Sequence, residues 1–144
     1  MDIREKLISR IPQGWGNYVS CDSGWDWILE ELEEKLNYLD SNYEVHQVKE
    51  KFGTLRFYFS TRKEDIVSDI MDACVSHAEY LSAHTCESCG KSAVSSKPGF
   101  DFTVKLRGKG WVKTLCNQCA IKLNYPTDEE IGGETIQAIE KELK

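Results

Sequence analysis

Residues 85–120 read TCESCGKSAVSSKPGFDFTVKLRGKGWVKTLCNQCA, and two short pieces of that stretch decide the fold: Cys86-Glu-Ser-Cys89-Gly90 and Cys116-Asn-Gln-Cys119. Two residues between thiolates let one tight turn present both sulfurs to the same ion. A glycine after the second cysteine lets the chain turn back without a Cβ clash. Two such turns supply four soft ligands, the tetrahedral set of a closed structural zinc site. Thiolates also suit iron, but a single four-cysteine set in a small chain favours zinc. The predicted ligands are therefore Cys86, Cys89, Cys116 and Cys119, and Zn2+ is the predicted cofactor. Four thiolates leave no position open for water or substrate, so the metal is read as holding the fold rather than performing chemistry.

The 26 residues between the cysteine pairs contain a candidate hairpin. Phe100, Phe102, Val104 and Leu106 alternate, residues 107–110 supply the turn, and residues 111–115 return. This is a zinc-ribbon-like module, with the ion replacing core that about 40 residues cannot assemble alone. His84 lies two residues before Cys86, where it competes as a ligand or closes the preceding helix. His77 reads as packed on that helix and His46 as lying on a strand face.

Working back from the module, residues 63–83 form a strong amphipathic helix. Its expected buried stripe is Ile66, Ile70, Cys74, His77 or Ala78, and Leu81, with Val67 and Met71 beside it. Cys74 in that stripe reads as a small buried hydrophobe. Before it, residues 43–60 are rich in β-branched and aromatic side chains. They read as two antiparallel strands, about 43–51 and 54–60, joined by a tight turn near Gly53. Leu55, Phe57 and Phe59 share one face of the second strand, and Arg56 and Tyr58 the other.

Further upstream, Trp25, Ile28, Leu29, Leu32, Leu36 and Leu39 recur at helical spacing behind a cap at Asp22 or Ser23. Glu30, Glu31, Glu33 and Glu34 are its expected wet face. Residues 12–24 read as an irregular loop whose Trp15, Tyr18 and Val19 dock on the core. A short helix over residues 2–10 buries Ile3, Leu7 and Ile8 and stops before Pro12. At the other end, Thr127 with Glu130 three residues on is a capping-box pattern. It predicts a last helix with Ile131, Ile136, Ile139 and Leu143 as its apolar positions.

The fold class that follows is α+β: a helix–β-hairpin–helix body over residues 1–84, a zinc-ribbon-like module over 85–125, and a C-terminal helix or tail over 126–144. The second long helix runs straight into Cys86, so the ribbon is expected to dock on the body.

The chain has 144 residues and a formal net charge of −6. Residues 86–125 carry seven cations against two carboxylates, a net +5, so the remainder carries −11. A basic module sits beside an acidic body. Overall acidity argues against nonspecific nucleic-acid binding by the whole chain but leaves the module open to it. Lys105, Arg107, Lys109 and Lys113 surround Trp111, a basic tip suited to gripping phosphate or an acidic protein surface. The competing reading makes it a soluble turn with Trp111 buried against the knuckles. A second basic and aromatic cluster involves Lys49, Lys51, Arg56, Arg62 and Lys63 with Phe52, Phe57, Tyr58 and Phe59. It admits single-stranded nucleic acid, but the favoured reading puts its aromatics in the core.

No apolar run reaches the roughly 20 residues of a membrane span, and the N-terminal MDIREKLISR lacks an apolar signal region. The expected location is therefore cytoplasmic, where paired cysteines are metal ligands rather than disulfides. No Walker loop, dinucleotide fingerprint, HExxH or nucleophile elbow is present, and an enzyme is the less favoured class.

Trp25 on its helix, then Gln47-Val48-Lys49-Glu50-Lys51-Phe52-Gly53-Thr54-Leu55-Arg56-Phe57-Tyr58, then CxxCG, then Gly110-Trp111-Val112-Lys113-Thr114-Leu115-Cys116 with CxxCA together resemble a family of small, largely uncharacterised proteins of bacteria and bacteriophages. The likeness spans residues 14–120. It implies a bacterial or infected host cell and a role on host machinery, such as inhibition of defence. The expected function is a non-enzymatic zinc-binding protein that interacts with another protein. A nucleic-acid-binding module using the ribbon and first hairpin is the alternative. No membrane partner is expected, and the sequence sets no oligomeric state.

Overall fold

A computed structural model describes residues 2–16 and 18–132. Helix α1 spans Ile3–Ser9, capped by Asp2, whose Oδ1 accepts from the Glu5 N–H at 2.8 Å. It buries Ile3 and Leu7. The following segment is mostly irregular, but Val19–Ser20 (β1) pairs in parallel with the next strand. Of the three side chains expected on the core, Val19 packs there, whereas Trp15 and Tyr18 are exposed. Trp15 lies edge-on to His46, with centroids 4.5 Å apart.

A single 3-10 turn, Ser23–Trp25, leads into α2, Asp26–Leu39. Neither Asp22 nor Ser23 supplies the expected side-chain cap. The 3-10 turn occupies that place, and its N-terminal residue Asp22 makes no capping bond. Trp25, Ile28, Leu29, Leu32 and Leu36 are fully or nearly fully buried, as their spacing predicts. Glu33 departs from the expected wet face and is buried. Arg10 reaches over from the end of α1 and grips its carboxylate through Nε and Nη2 at 3.1 and 3.2 Å, and the Tyr43 hydroxyl donates to it. The Arg10 guanidinium also stacks on the Tyr43 ring, 4.0 Å from its centroid. A buried charge so bonded is tolerated because both carboxylate oxygens have donors.

Strands β2 (Glu44–Lys51) and β3 (Thr54–Ser60) form an antiparallel hairpin in a three-stranded sheet ordered β1-β2-β3. Phe52 and Gly53 make its two-residue turn with φ of 55° and 81°, the pair of positive values that matches strand twist. Leu55 and Phe57 are buried and Phe59 packs against them, while Tyr58 is exposed.

Helix α3, Asp65–Ala83, crosses α2 and β3. Its buried stripe is Met71, Val75, Ala78, Leu81 and Ser82, rotated from the expected one, and Ile66 and Ile70 are exposed. The cause lies in the sheet. β3 is an edge strand, and α3 satisfies its free N–H groups: Ser82 Oγ accepts from Leu55 at 2.8 Å and Glu79 Oε2 accepts from Phe57 at 3.1 Å. Bonding the edge turns the helix away from the register that apolar periodicity alone favours.

The module after α3 has its own small core of Val104, Leu115, Ala120 and cysteine side chains. Its hairpin is shorter than expected. β4 is Lys105–Arg107 and β5 is Lys113–Leu115. Asp101 Oδ1 accepts from the N–H and hydroxyl of Thr103 at 2.9 and 2.6 Å, a local turn that breaks the strand. Phe100, Phe102 and Leu106 consequently face solvent, while Val104 and Arg107 point inward. A helix not anticipated, α4 (Asn117–Leu123), starts directly from Cys116 and ends at Asn124 in the left-handed conformation, φ 60°. At Thr127 the predicted cap forms, its Oγ1 accepting from Glu130 N at 3.3 Å, and residues 128–132 are helical. Ile136, Ile139 and Leu143 lie outside the described residues. Among those residues no helix is long and apolar enough to cross a membrane.

Candidate metal centre

The first knuckle is closed by two backbone bonds, Cys86 N–H to Lys91 O at 2.8 Å and Gly90 N–H to Cys86 O at 2.9 Å. Gly90 takes φ 87°, and a Cβ there would lie 2.9 Å from the Gly24 carbonyl oxygen. Conformation and space both require glycine. The second knuckle is a helix start. Cys116 occupies the N-cap of α4, and its sulfur accepts from the Cys119 N–H at 3.4 Å.

These two turns bring the Sγ atoms of Cys86, Cys89, Cys116 and Cys119 within 4.8 Å of one another. Cys86, Cys116 and Cys119 are buried and Cys89 is exposed. The Cys89 and Cys116 sulfurs are 3.8 Å apart. That is far beyond a disulfide bond of about 2.05 Å. It matches the edge of a tetrahedron built on metal–sulfur bonds of about 2.3 Å, which is about 3.8 Å. The donor set therefore fits a tetrahedral metal ion. Burial alone pushes the Cys86 thiol up, but backbone N–H groups of Cys116, Cys89 and Ser88 outweigh it and hold Cys86 below its ordinary value. Burial pushes Cys89 up to about 11 and Cys119 up further. A bound ion would lower all of them, because coordination deprotonates thiols outright.

His84 does not join the cluster. It ends α3, its carbonyl accepts from Ala93 N at 2.8 Å and Ser92 Oγ at 3.2 Å, and its ring packs on Tyr80. His77 is exposed on α3 and lies over Tyr80, and His46 on β2 bonds Ser60 Oγ at 2.8 Å.

The first knuckle is also the joint between ribbon and body. Gly24 N–H donates to Glu87 O at 2.8 Å, Trp25 Nε1 to Thr85 O at 2.9 Å, and Trp27 Nε1 to Gly90 O at 2.9 Å. Glu87 is buried, and its Oε2 accepts from Asp22 N at 3.0 Å. A second joint lies where the turn of the first hairpin meets β4 and β5. Thr114 Oγ1 donates to Gly53 O at 2.8 Å, and a Cβ on Gly53 would strike Leu106 at 2.4 Å. The two long sequence motifs, 47–58 and 110–116, thus meet in space. No protein-family model, curated protein or solved structure matches this chain.

The five residues of the anticipated basic tip are not one surface. Arg107 is wholly buried. It donates to Leu115 O at 3.0 Å, Pro126 O at 2.8 Å, Thr103 O at 2.7 Å and the Asp128 carboxylate. Lys105 pairs with the same Asp128 at 3.3 Å. Lys113 pairs with Asp22 at 2.8 Å and lies 3.7 Å from Glu87. Lys109 is exposed near the Tyr125 ring, and Trp111 is exposed with Nε1 3.3 Å from Glu50 Oε1. Trp111 is therefore not packed against the knuckles. Sequence reasoning missed the contacts of Gly24, Thr85 and Glu87 at the joint and of Asp128 with Arg107. Only Gly24, immediately before Trp25, carries any local hint, since the other three act through contacts distant in sequence.

Proposed function

We propose that this chain is a non-enzymatic interaction protein stabilised by one structural zinc ion, and that its acidic body binds another protein. The observation that carries this reading is the internal use of three of the ribbon's seven cations, the three on its hairpin strands. Arg107 is buried against Asp128, Lys105 shares that carboxylate, and Lys113 is held by Asp22. Phosphate contacts need exposed, uncommitted cations. The body, residues 1–84, carries sixteen carboxylates against nine cations, a net −7, and this excess supports a protein partner of opposite charge. Zinc is supported by four thiolates at tetrahedral spacing, which leave no coordination position for substrate. The resemblance to bacterial and bacteriophage proteins supports a host protein as the target, with the chain acting as a defence inhibitor or regulator.

The test has two arms. A tagged chain in a bacterial extract is expected to retain one protein in stoichiometric amount. A gel-shift assay at low salt is expected to leave single- and double-stranded nucleic acid unmoved. A shift that weakens steeply with salt, with no protein retained, would replace this reading by the nucleic-acid one.

A further inference from the structure

Helix α3 carries more apolar surface than its core contacts use. Met71, Val75 and Ala78 fill the interface with α2 and β3. Beside them Ile66, Ile70 and Cys74 recur every four residues, a second stripe on one helical face. Ile66 is 72% exposed and Ile70 44%. Across from this stripe α2 presents Tyr38, 89% exposed, and the half-buried Leu39. Ile70, Cys74, Tyr38 and Leu39 line an open groove of about 670 Å³ between the two helices.

The rim of the groove is acidic. Glu31 and Glu34 line it from α2, and Lys35 is the lone cation in the lining. Glu30 on α2 and Asp69 on α3 are also exposed, and α3 contains neither lysine nor arginine. Among the described residues none of these four carboxylates has an ion-pair partner within the chain.

We propose that the groove between α2 and α3 receives a basic amphipathic helix of a partner protein. This rests on the reading of the chain as a protein-binding module and names its surface. Two side-by-side helices with apolar residues at helical spacing present a groove into which the ridge of a third helix packs. The exposed isoleucines and tyrosine meet its apolar face, and the carboxylates meet lysines or arginines flanking that face. A second copy of the same groove would bring like charges together, so charge disfavours face-to-face self-association here.

The probe is a fluorescein-labelled helical peptide of leucine and lysine, with leucines on one face, titrated against the full zinc-loaded chain. Saturable binding of one peptide per chain is expected, weakening as salt shortens the screening length from about 10 Å at 0.1 M to about 3 Å at 1 M. The charge-neutral double variant Tyr38→Ser/Ile70→Ser is expected to lose about tenfold or more in affinity, since both side chains are exposed and free to change without disturbing the core. Glu31→Gln/Glu34→Gln is expected to flatten the salt dependence. A peptide with glutamate in place of lysine is expected not to bind.

Unchanged affinity in both double variants, or backbone NMR shifts on the ribbon instead of α2 and α3, would overturn the proposal. So would a dimer in sedimentation that Tyr38→Ser/Ile70→Ser dissociates, which would make a second copy the occupant. A cellular partner that stays bound to the same variant refutes the groove and leaves the interaction reading standing. Groove-dependent peptide binding with no cellular protein retained does the reverse.

Discussion

Replacing Gly24 by alanine probes the joint between knuckle and body with one methyl group. Gly24 has no left-handed φ, so the backbone itself accepts alanine. Space does not. The new Cβ would lie 2.3 Å from Glu87 O and 2.4 Å from Cys86 O, and both obstacles are backbone. Relief requires the first knuckle to retreat by roughly 1 Å to reach normal van der Waals separation. That retreat breaks Gly24 N–Glu87 O and stretches Trp25 Nε1–Thr85 O, bonds of 2.8 and 2.9 Å. Overpacking costs about 1–3 kcal/mol and each buried group left without a partner about 1–3 kcal/mol. The expected loss is about 3–5 kcal/mol, a large share of a typical stability of about 5–15 kcal/mol. The knuckle holds two ligands, so part of this loss appears as weaker metal binding, about tenfold for each 1.4 kcal/mol transferred. Guanidinium unfolding of the zinc-loaded protein reads the first quantity, and titration against a chromophoric chelator reads the second. Gly110→Ala is the control. Nothing lies within 4 Å of its Cβ, and only its φ of 64° resists, at about 1–2 kcal/mol with zinc affinity unchanged. If Gly24→Ala matches the parent within about 0.5 kcal/mol and binds zinc equally well, the joint does not exist as described.

Removing zinc, or substituting Cys89→Ser or Cys116→Ser, is expected to abolish hydrogen-exchange protection across 86–119. It should also red-shift tryptophan emission, because Trp25 and Trp27 donate to the knuckle carbonyls. Native-like protection in the metal-free protein would contradict this. Arg107→Ala strands three carbonyls and Asp128. A broken buried pair costs about 3–5 kcal/mol, and because Asp128 is 28% exposed the low end, about 3 kcal/mol, is expected in urea unfolding. Lys109→Ala should stay within about 0.5 kcal/mol, and equal effects from the two would refute the distinction. Asp40 is held below its ordinary value of 3.8. Burial pushes it up, but the Thr61 hydroxyl, the Asn42 N–H and the charges of Lys63 and Arg10 outweigh that. A depressed carboxyl contributes stability that is full above its unfolded value and lost as pH falls through the lower folded one. The stability gap between the parent and Asp40→Asn should therefore be constant from neutral pH down to about pH 5 and shrink below pH 4; a gap independent of pH would count against it.

Much of the architecture was legible because local rules act alone at those places. The CxxC spacing forces tight turns whatever surrounds them, and the four sulfurs converge as that spacing implies. The hydrophobic period of residues 25–39 has one solution, and the turn at Phe52-Gly53 follows from a glycine between two β-rich runs. The α+β class, the hairpin body and the four-cysteine module follow from these signals.

Distant contacts decided the remainder. Glu33 looks solvated in its own helix, and only Arg10 and Tyr43, arriving from other elements, allow it to be buried with its charge satisfied. The face that α3 buries depends on the unpaired N–H groups of an edge strand some 27 residues away in sequence, at Leu55 and Ser82. Arg107 reads as part of an exposed basic turn until Asp128 and three carbonyls close around it. Periodicity and spacing record what a segment can bury. Which polar groups are desolvated, and which charges are therefore left for a partner, depends on neighbours that only the folded chain assembles.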